Sequence, residues 1–181
     1  IIEAITRQGI DFKGLDMDPL NGSLDVGWLA ALCAVIINGE TWNQWVSVLH
    51  SPLIGLSFAE IEDIKCHKDS HGSATIAIKK RMSDHPTHDS CDSIKTVFWA
   101  LNERRRSTPA KLTRRTWLAL DGYAIANENR AISKTEKVFT IIEALEKNKQ
   151  LTFYSLYQRL EKGHGNRDAS SEYPIPLDKK S

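Results

Sequence analysis

The sequence lacks the short motifs that usually mark nucleotide binding, zinc binding and nucleophilic catalysis. Its ten glycines are scattered, and none belongs to a G-x-x-x-x-G-K-[ST] loop, which holds phosphates with backbone amides. Neither the G-x-S-x-G pattern of serine hydrolases nor the C-x-x-C pair of zinc sites occurs. By themselves, these residues therefore predict neither ATP hydrolysis nor a free-standing enzyme.

Long apolar runs are missing as well. No stretch approaches the roughly 20 apolar residues that a membrane helix needs. The first residues, I-I-E-A-I-T-R-Q-G-I, contain an early acid and no basic start, so they do not resemble a signal peptide. We expect a soluble protein without a membrane partner, and the missing initiator Met suggests the middle of a longer chain.

Cysteine is scarce, and its spacing forms no disulfide framework. The three cysteines are Cys33, Cys66 and Cys91, and Cys33 falls within an apolar helical pattern, so we predict a reduced, cytoplasmic protein. His85, His88 and Cys91 have gaps that would suit metal ligands. Structural zinc sites normally have paired ligands on tight turns, however, and we favour a polar loop over a metal site.

Apolar residues recur at helical spacing along most of the sequence, which predicts an all-α fold. Residues 1–18 are expected to hold a short helix and strand stub that belongs to an adjoining core domain. Residues 19–163 are expected to form a compact domain of about eight helices, the first beginning at Ser23. Residues 164–181 form a polar tail with two prolines.

Local signals predict where the helices begin and end. Asp89 or Ser90 is suited to cap one helix. The segment S-A-T-I-A-I-K-K-R-M allows a strand, because Ile76 and Ile78 alternate, but we favour a helix. The other boundaries have typical start or stop signals, which are Asn38-Gly39, Thr108-Pro109, Asp121-Gly122, Gly163 and a Ser133–Glu136 capping box.

The stretch from Trp45 to Ile61 is the most distinctive part of the sequence. Pro52 cannot continue the helix that precedes it, and Gly55 permits a tight turn. Ser57 and Glu60 have the spacing of a capping box, in which each side chain bonds the backbone amide of the other residue. We therefore predict a rigid corner between two helices.

Charge is distributed unevenly along the chain. Residues 1–64 contain two basic and nine acidic residues, a net charge of −7, whereas residues 79–115 contain ten basic and four acidic residues, a net charge of +6. Six of these cations flank one predicted connection between helices and form what we call the basic patch: Arg104, Arg105, Arg106, Lys111, Arg114 and Arg115. Such a patch would bind nucleic-acid phosphates without reading sequence. Alternatively, the arginines oppose a helix dipole and cover apolar surface.

Four segments, taken in order, resemble a known family. Residues 4–20 read A-I-T-R-Q-G-I-D-F-K-G-L-D-M-D-P-L, and residues 24–39 read L-D-V-G-W-L-A-A-L-C-A-V-I-I-N-G. The corner has the pattern W-x-x-x-L-x-S-P-x-x-G-L-S, and residues 114–124 read R-R-T-W-L-A-L-D-G-Y-A. These segments resemble the helical 2B subdomain of superfamily 1 DNA helicases of the UvrD and RecB/AddA type, including the exonuclease V beta branch. The chain has His50 before the Ser-Pro pair, where many relatives have arginine.

This resemblance implies that the chain is an accessory subdomain of a larger protein. Residues 1–18 would come from helicase core domain 2A, residues 19–163 would form 2B, and residues 164–181 would lead back towards 2A. ATP-driven DNA unwinding in recombination or repair, by a helicase or helicase-nuclease that uses ATP and Mg²⁺, is implied for the longer parent protein. For this chain alone we expect no catalysis, no cofactor and no metal.

The partners that the resemblance implies are duplex or fork-junction DNA, the remainder of the helicase core and a nuclease subunit. We expect DNA contact through the basic patch. A second contact is expected at the corner, where amides at a helix start would meet a phosphate, and its residues are Ser51, Gly55 and Ser57. The alternative is a protein-interaction module that docks a partner nuclease or the helicase core through acidic and apolar surfaces. Salt separates the two, because it weakens phosphate binding and not apolar contact.

Overall fold

The computed structural model describes residues 23–39, 41–125 and 129–162 of the chain. Within these ranges the chain forms helices and no strand, which confirms the all-α prediction. None of these helices is both long enough and apolar enough to cross a membrane. The helices are α1 (Leu24–Asn38), α2 (Trp42–His50), α3 (Phe58–His71), α4 (Ala74–Asp84), α5 (Ser90–Glu103), α6 (Pro109–Ala119), α7 (Gly122–Ile125), α8 (Asn129–Lys147) and α9 (Phe153–Lys162). The stub and tail expected at residues 1–18 and 164–181 lie outside the described residues.

Helix α1 is the centre of the fold. It packs against α2, α5, α6, α8 and α9, and every residue from 29 to 36 is buried. Apolar residues at helical spacing usually form one buried face, but the structure buries this helix on nearly all sides, as expected for a helix that is apolar all round. Full burial of one leucine or isoleucine contributes roughly 1.5–3 kcal/mol, so α1 is a main source of stability.

The end of α1 is fixed by the predicted glycine stop. Gly39 has a φ of +48° and donates its amide to the Val35 carbonyl at 2.7 Å, which is a typical left-handed helix end. The Gly39 carbonyl accepts from Trp45 Nε1 at 2.7 Å. Because Trp45 is fully buried, this bond joins α1 to α2 inside the core.

The segment that allowed either a helix or a strand is helix α4. The Ser73 hydroxyl accepts from the Ile76 amide at its start. Ile76 is 52% exposed, whereas Ile78 is fully buried. The apparent alternation therefore reflects two sides of a helix, and the preference for a helix is confirmed.

Helix α8 begins earlier than the sequence predicts. It starts at Asn129, so Ser133 lies inside the helix and the predicted Ser133–Glu136 capping box is wrong. The Glu136 carboxylate instead accepts from Arg114 and from the Tyr123 hydroxyl. The Glu136 carboxylate, which the local pattern predicted to cap a helix, thus bonds residues of α6 and α7 instead.

The starts of α5 and α6 are correctly located by sequence, but the capping groups differ from those expected. Asp89 precedes α5 without a side-chain cap bond, and the Ser90 amide donates to His88 Nδ1 at 3.2 Å. Thr108 precedes α6, again without a side-chain cap bond. A side chain from another helix caps α6 instead, because the Ala110 amide donates to Glu146 Oε1 on α8 at 2.9 Å.

Candidate nucleic-acid interface

The basic patch surrounds the connection between α5 and α6. Five of its six side chains are exposed, and Arg114 is half-buried. Arg106 Nη1 lies 3.3 Å from Glu103 Oε1, and a pair at the surface contributes little energy. Arg105 and Lys111 form no ion pair with another described residue. The charges of Arg105, Arg106 and Lys111 are therefore accessible to an external anion.

Arg104 has a structural role, although it is exposed. Its Nε donates to the Leu101 carbonyl at 3.0 Å, and its Nη1 donates to the Ile37 carbonyl at 3.4 Å. These carbonyls belong to the last turns of α5 and α1, where acceptors have no partner within the helix. Arg104 therefore joins two helix ends, as the alternative interpretation of the arginines anticipates.

Arg114 is engaged by two carboxylates of α8. Its guanidinium lies 3.0 Å from Glu136 Oε2 and 3.4 Å from Glu143 Oε1, and it sits 4.2 Å from the centroid of the Phe139 ring. The Tyr123 hydroxyl and then Arg114 hold the pKa of Glu136 below its usual value, while burial and Glu136 raise the pKa of Tyr123 to about 12. A phosphate would have to compete with these carboxylates for Arg114.

Arg115 faces a different environment from Arg114. Its guanidinium carbon lies 4.7 Å from the centroid of the Trp99 ring, within the range of a cation–π contact. The Trp99 side chain remains 38% exposed. An exposed cation and an exposed aromatic ring are thus held together at the surface of α5 and α6.

Trp99 also lines a groove that sequence reasoning missed. This groove of about 590 Å³, which we call the α4–α5 groove, has Lys79 and Met82 on one side and Lys95 and Trp99 on the other. The Lys79 ammonium lies 5.2 Å from the centroid of the Phe98 ring. The four-residue spacing of Lys95 and Trp99 is visible in the sequence, but nothing local indicates that Lys79 joins them.

The corner at residues 51–57 has the predicted shape. Gly55 has a φ of +81°, and its amide donates to the Ser51 carbonyl at 2.8 Å. The Leu56 amide then donates to the Leu49 carbonyl at 2.9 Å, which closes the turn. The Ser51 side chain is 1% exposed, and its hydroxyl donates to the Val48 carbonyl at 2.6 Å, so it offers little surface to DNA.

The predicted capping box at the start of α3 is confirmed. The Ser57 amide donates to Glu60 Oε2 at 2.9 Å, and the Glu60 amide donates to the Ser57 hydroxyl at 3.4 Å. Hydrogen bonds from the Ser57 hydroxyl and amide hold the pKa of Glu60 below its usual value. A carboxylate thus occupies the helix start where a phosphate was expected, which makes this predicted DNA contact electrostatically unfavourable.

The residues with metal-like spacing make other contacts. His88 Nε2 lies 2.8 Å from Glu60 Oε1, and the Cys91 thiol donates to the His85 carbonyl at 3.2 Å. Across the described ranges, no three side chains of His, Cys, Asp or Glu are grouped as ligands for one ion. The His88–Glu60 contact connects the loop before α5 to α3, and the Cys91–His85 bond holds the same loop against α5.

The structure therefore separates the predicted DNA-binding residues by role. Arg105, Arg106, Lys111 and Arg115 present accessible charge, whereas Arg104 and Arg114 connect helices. The contact expected at the corner has a buried serine and an occupied helix start. A comparison with known protein families, curated proteins and solved structures finds no match to this chain.

Proposed function

We propose that this chain is a cytoplasmic accessory module of an ATP-dependent DNA helicase or helicase-nuclease, corresponding to its 2B subdomain, and that it holds duplex DNA. The observation that supports this function is the accessible charge of Arg105, Arg106, Lys111 and Arg115 around one short connection. Cations on such a surface bind duplex phosphates, displace counterions and need not read the bases. The resemblance of the four sequence segments supplies the helicase context.

The two structural arginines strengthen this proposal. Arg104 connects the end of α5 to the end of α1, and Arg114 connects α6 to α8. The exposed cations between them consequently sit on a braced part of the fold rather than on a long loop. A rigid frame lowers the entropy lost when side chains meet a ligand.

The chain would regulate the parent protein rather than hydrolyse ATP itself. ATP and Mg²⁺ would bind to the helicase core, and the module would change how firmly that core holds DNA ahead of the unwinding point. Binding through phosphates suits this task, because an unwinding enzyme must move over any sequence.

The test is the affinity of the chain for a blunt fluorescent duplex, measured by anisotropy at low and moderate salt. The variant combines Arg105→Glu with Lys111→Glu, and the matched control combines Lys65→Glu with Arg159→Glu at exposed positions of α3 and α9. Both variants change the net charge equally. We expect the first to bind at least tenfold more weakly and to lower the salt slope by about two, since each phosphate contact adds roughly 0.9.

Equal affinities of the two variants for the duplex would overturn the proposed role of the α5–α6 connection. Circular dichroism of both variants would establish that each has kept its helices. No binding of the unmodified chain at low salt would favour the second candidate function.

That second candidate is docking of a partner nuclease or of the helicase core. It is favoured by an exposed aromatic cluster on α9, where Phe153, Tyr154 and Tyr157 are 41%, 69% and 43% exposed. Phe153 and Tyr157 line a pocket between α1, α2 and α9. Neighbouring exposed aromatic side chains are typical of protein interfaces, and contact through them would resist salt.

A further inference from the structure

The α4–α5 groove combines positive charge with an exposed aromatic surface. Lys79 and Lys95 line it, and among the described residues that line it there is no carboxylate. Lys95 does have an acidic neighbour, because its ammonium lies 2.6 Å from Asp92 Oδ1 outside the groove. That pair is solvent-exposed on both sides, so it holds Lys95 only weakly.

Part of the Trp99 ring is accessible from the α4–α5 groove. Trp99 lines the groove and Arg115 does not, while Arg115 stacks on the indole from the direction of α6. The guanidinium therefore leaves part of the ring available to a ligand in the groove. A large aromatic side chain that stays 38% exposed gains energy from any flat ligand that covers it.

Lys79 is placed to meet an anion beside that ring. Its ammonium lies over the ring of Phe98, which is 9% exposed and directly precedes Trp99 in the chain. Arg115 adds a second positive charge, 4.7 Å from the centroid of the Trp99 ring. Proteins bind single strands by combining positive charge along a groove with exposed aromatic rings on which bases stack.

We propose that the α4–α5 groove binds single-stranded nucleic acid, with one base stacked on Trp99 and adjacent phosphates contacting Lys79 and Arg115. A duplex keeps its bases stacked inside, whereas a single strand can place a base against a protein ring. This binding does not require duplex contact at Arg105 and Lys111. In a helicase it would give the module a second ligand, the unpaired strand next to the duplex.

The experiment measures binding of fluorescent single strands of about twelve nucleotides, a length within the range of single-strand sites. DNA and RNA strands of one sequence are used, and binding of either supports the proposal. Trp99→Leu is expected to weaken binding by roughly tenfold or more, because it removes a stacking surface. Trp99→Phe should recover most of the affinity, and Lys79→Gln should lower both the affinity and its salt dependence.

Tyr154→Leu is the matched control, because it removes an exposed ring from α9, on another part of the fold. Its affinity for the single strand should equal that of the unmodified chain. Equal affinities of the Trp99→Leu and Tyr154→Leu variants would overturn the proposal. So would complete displacement of the strand by an equal concentration of polyglutamate, since that result would indicate a site for any polyanion.

The duplex and single-strand proposals can fail separately. The variant that combines Arg105→Glu with Lys111→Glu should lose most duplex affinity and keep at least a third of its single-strand affinity. Trp99→Leu should show the reverse. If both variants lost both ligands to the same extent, the groove would not be a separate site, and the single-strand proposal would be wrong.

Discussion

At position 122 the packing leaves no room for a side chain. A Cβ built on Gly122 would lie 2.3 Å from Cε2 of Trp117, whose ring is fully buried. Because the ring is enclosed, it cannot move aside without disturbing the core. We expect Gly122→Ala to lower the free energy of unfolding by about 1–3 kcal/mol, as overpacking does, measured by urea unfolding.

Gly27 provides the matched control. It is an exposed residue of α1, and a Cβ there would have nothing within 4 Å. Gly27→Ala should raise the free energy of unfolding by about 0.5–1 kcal/mol, because alanine favours a helix more than glycine does. Destabilisation of similar size at both positions would contradict the packing argument for Gly122.

Acid should weaken the contact between α6 and α8. The pKa of Glu136 is lowered from about 4.5 by the Tyr123 hydroxyl and by Arg114. A lowered pKa stabilises the folded state above the pKa of the unfolded chain, and this stabilisation is lost as the pH falls through the folded-state pKa. We therefore expect the destabilisation caused by Glu136→Gln to be largest near neutral pH and to shrink as the pH falls below 4.5, measured by urea midpoints.

The control for a lost carboxylate is Glu62→Gln. Glu62 forms an exposed pair with Lys65 at 3.3 Å, and such pairs add little stability. This substitution should change the urea midpoint only slightly, both at about pH 3 and at about pH 7. If Glu136→Gln destabilised the protein equally at about pH 3 and about pH 7, its ionised contacts would not explain the effect.

At the scale of the element, helix α6 depends on a distant cap. The Ala110 amide donates to Glu146 of α8, whereas Thr108 makes no side-chain cap bond. Loss of a capping acceptor costs about 1 kcal/mol, and a carboxylate near a helix start adds to that through the dipole. We expect Glu146→Ala to lower the free energy of unfolding by about 1–2 kcal/mol, measured by urea unfolding.

Thr108→Ala is the second test of whether Glu146 or Thr108 caps α6. A sequence-based expectation makes Thr108 the cap and predicts the larger loss there. The structure predicts a change below about 0.5 kcal/mol for Thr108→Ala, as at an ordinary surface position. A larger loss at Thr108 than at Glu146 would show that α6 is capped locally.

The sequence predicts helix ends well where both partners lie within a few residues. The Ser57–Glu60 capping box and the Gly39 stop are examples. It fails where a distant group competes for one partner, since Glu136 bonds Arg114 and Tyr123 rather than the start of a helix. The cap on Ala110 cannot be predicted from the local sequence for the same reason, because Glu146 is 36 residues away.

At the scale of the whole molecule, the same limit applies to the candidate site. The basic patch follows from a run of charges that the sequence displays directly. Which charges are accessible depends on packing, because Arg104 and Arg114 are distinguished from Arg105 only by contacts with α1 and α8. The α4–α5 groove requires residues from two separate helices to line one surface, and no local pattern encodes that arrangement.

The position of Cys33 allows the stability of the whole fold to be measured from one atom. Cys33 is fully buried in the central helix, and burial raises the pKa of its thiol to about 12. The reactive form of cysteine is the thiolate, so the native thiol should not react with a disulfide reagent. Because α1 contacts α2, α5, α6, α8 and α9, exposing Cys33 requires most of these contacts to break.

We therefore expect a variant that combines Cys66→Ser with Cys91→Ser to be labelled at Cys33 only through global unfolding. The free energy of opening obtained from its labelling rate should equal the free energy of unfolding from circular dichroism, and both should fall together with urea. A variant that retains only Cys66, which is exposed on α3, should react at once and independently of urea. If Cys33 opened at a much lower free energy than the whole domain unfolds, α1 would belong to a separate, weaker unit and could not be the element that joins the helices into one cooperative fold.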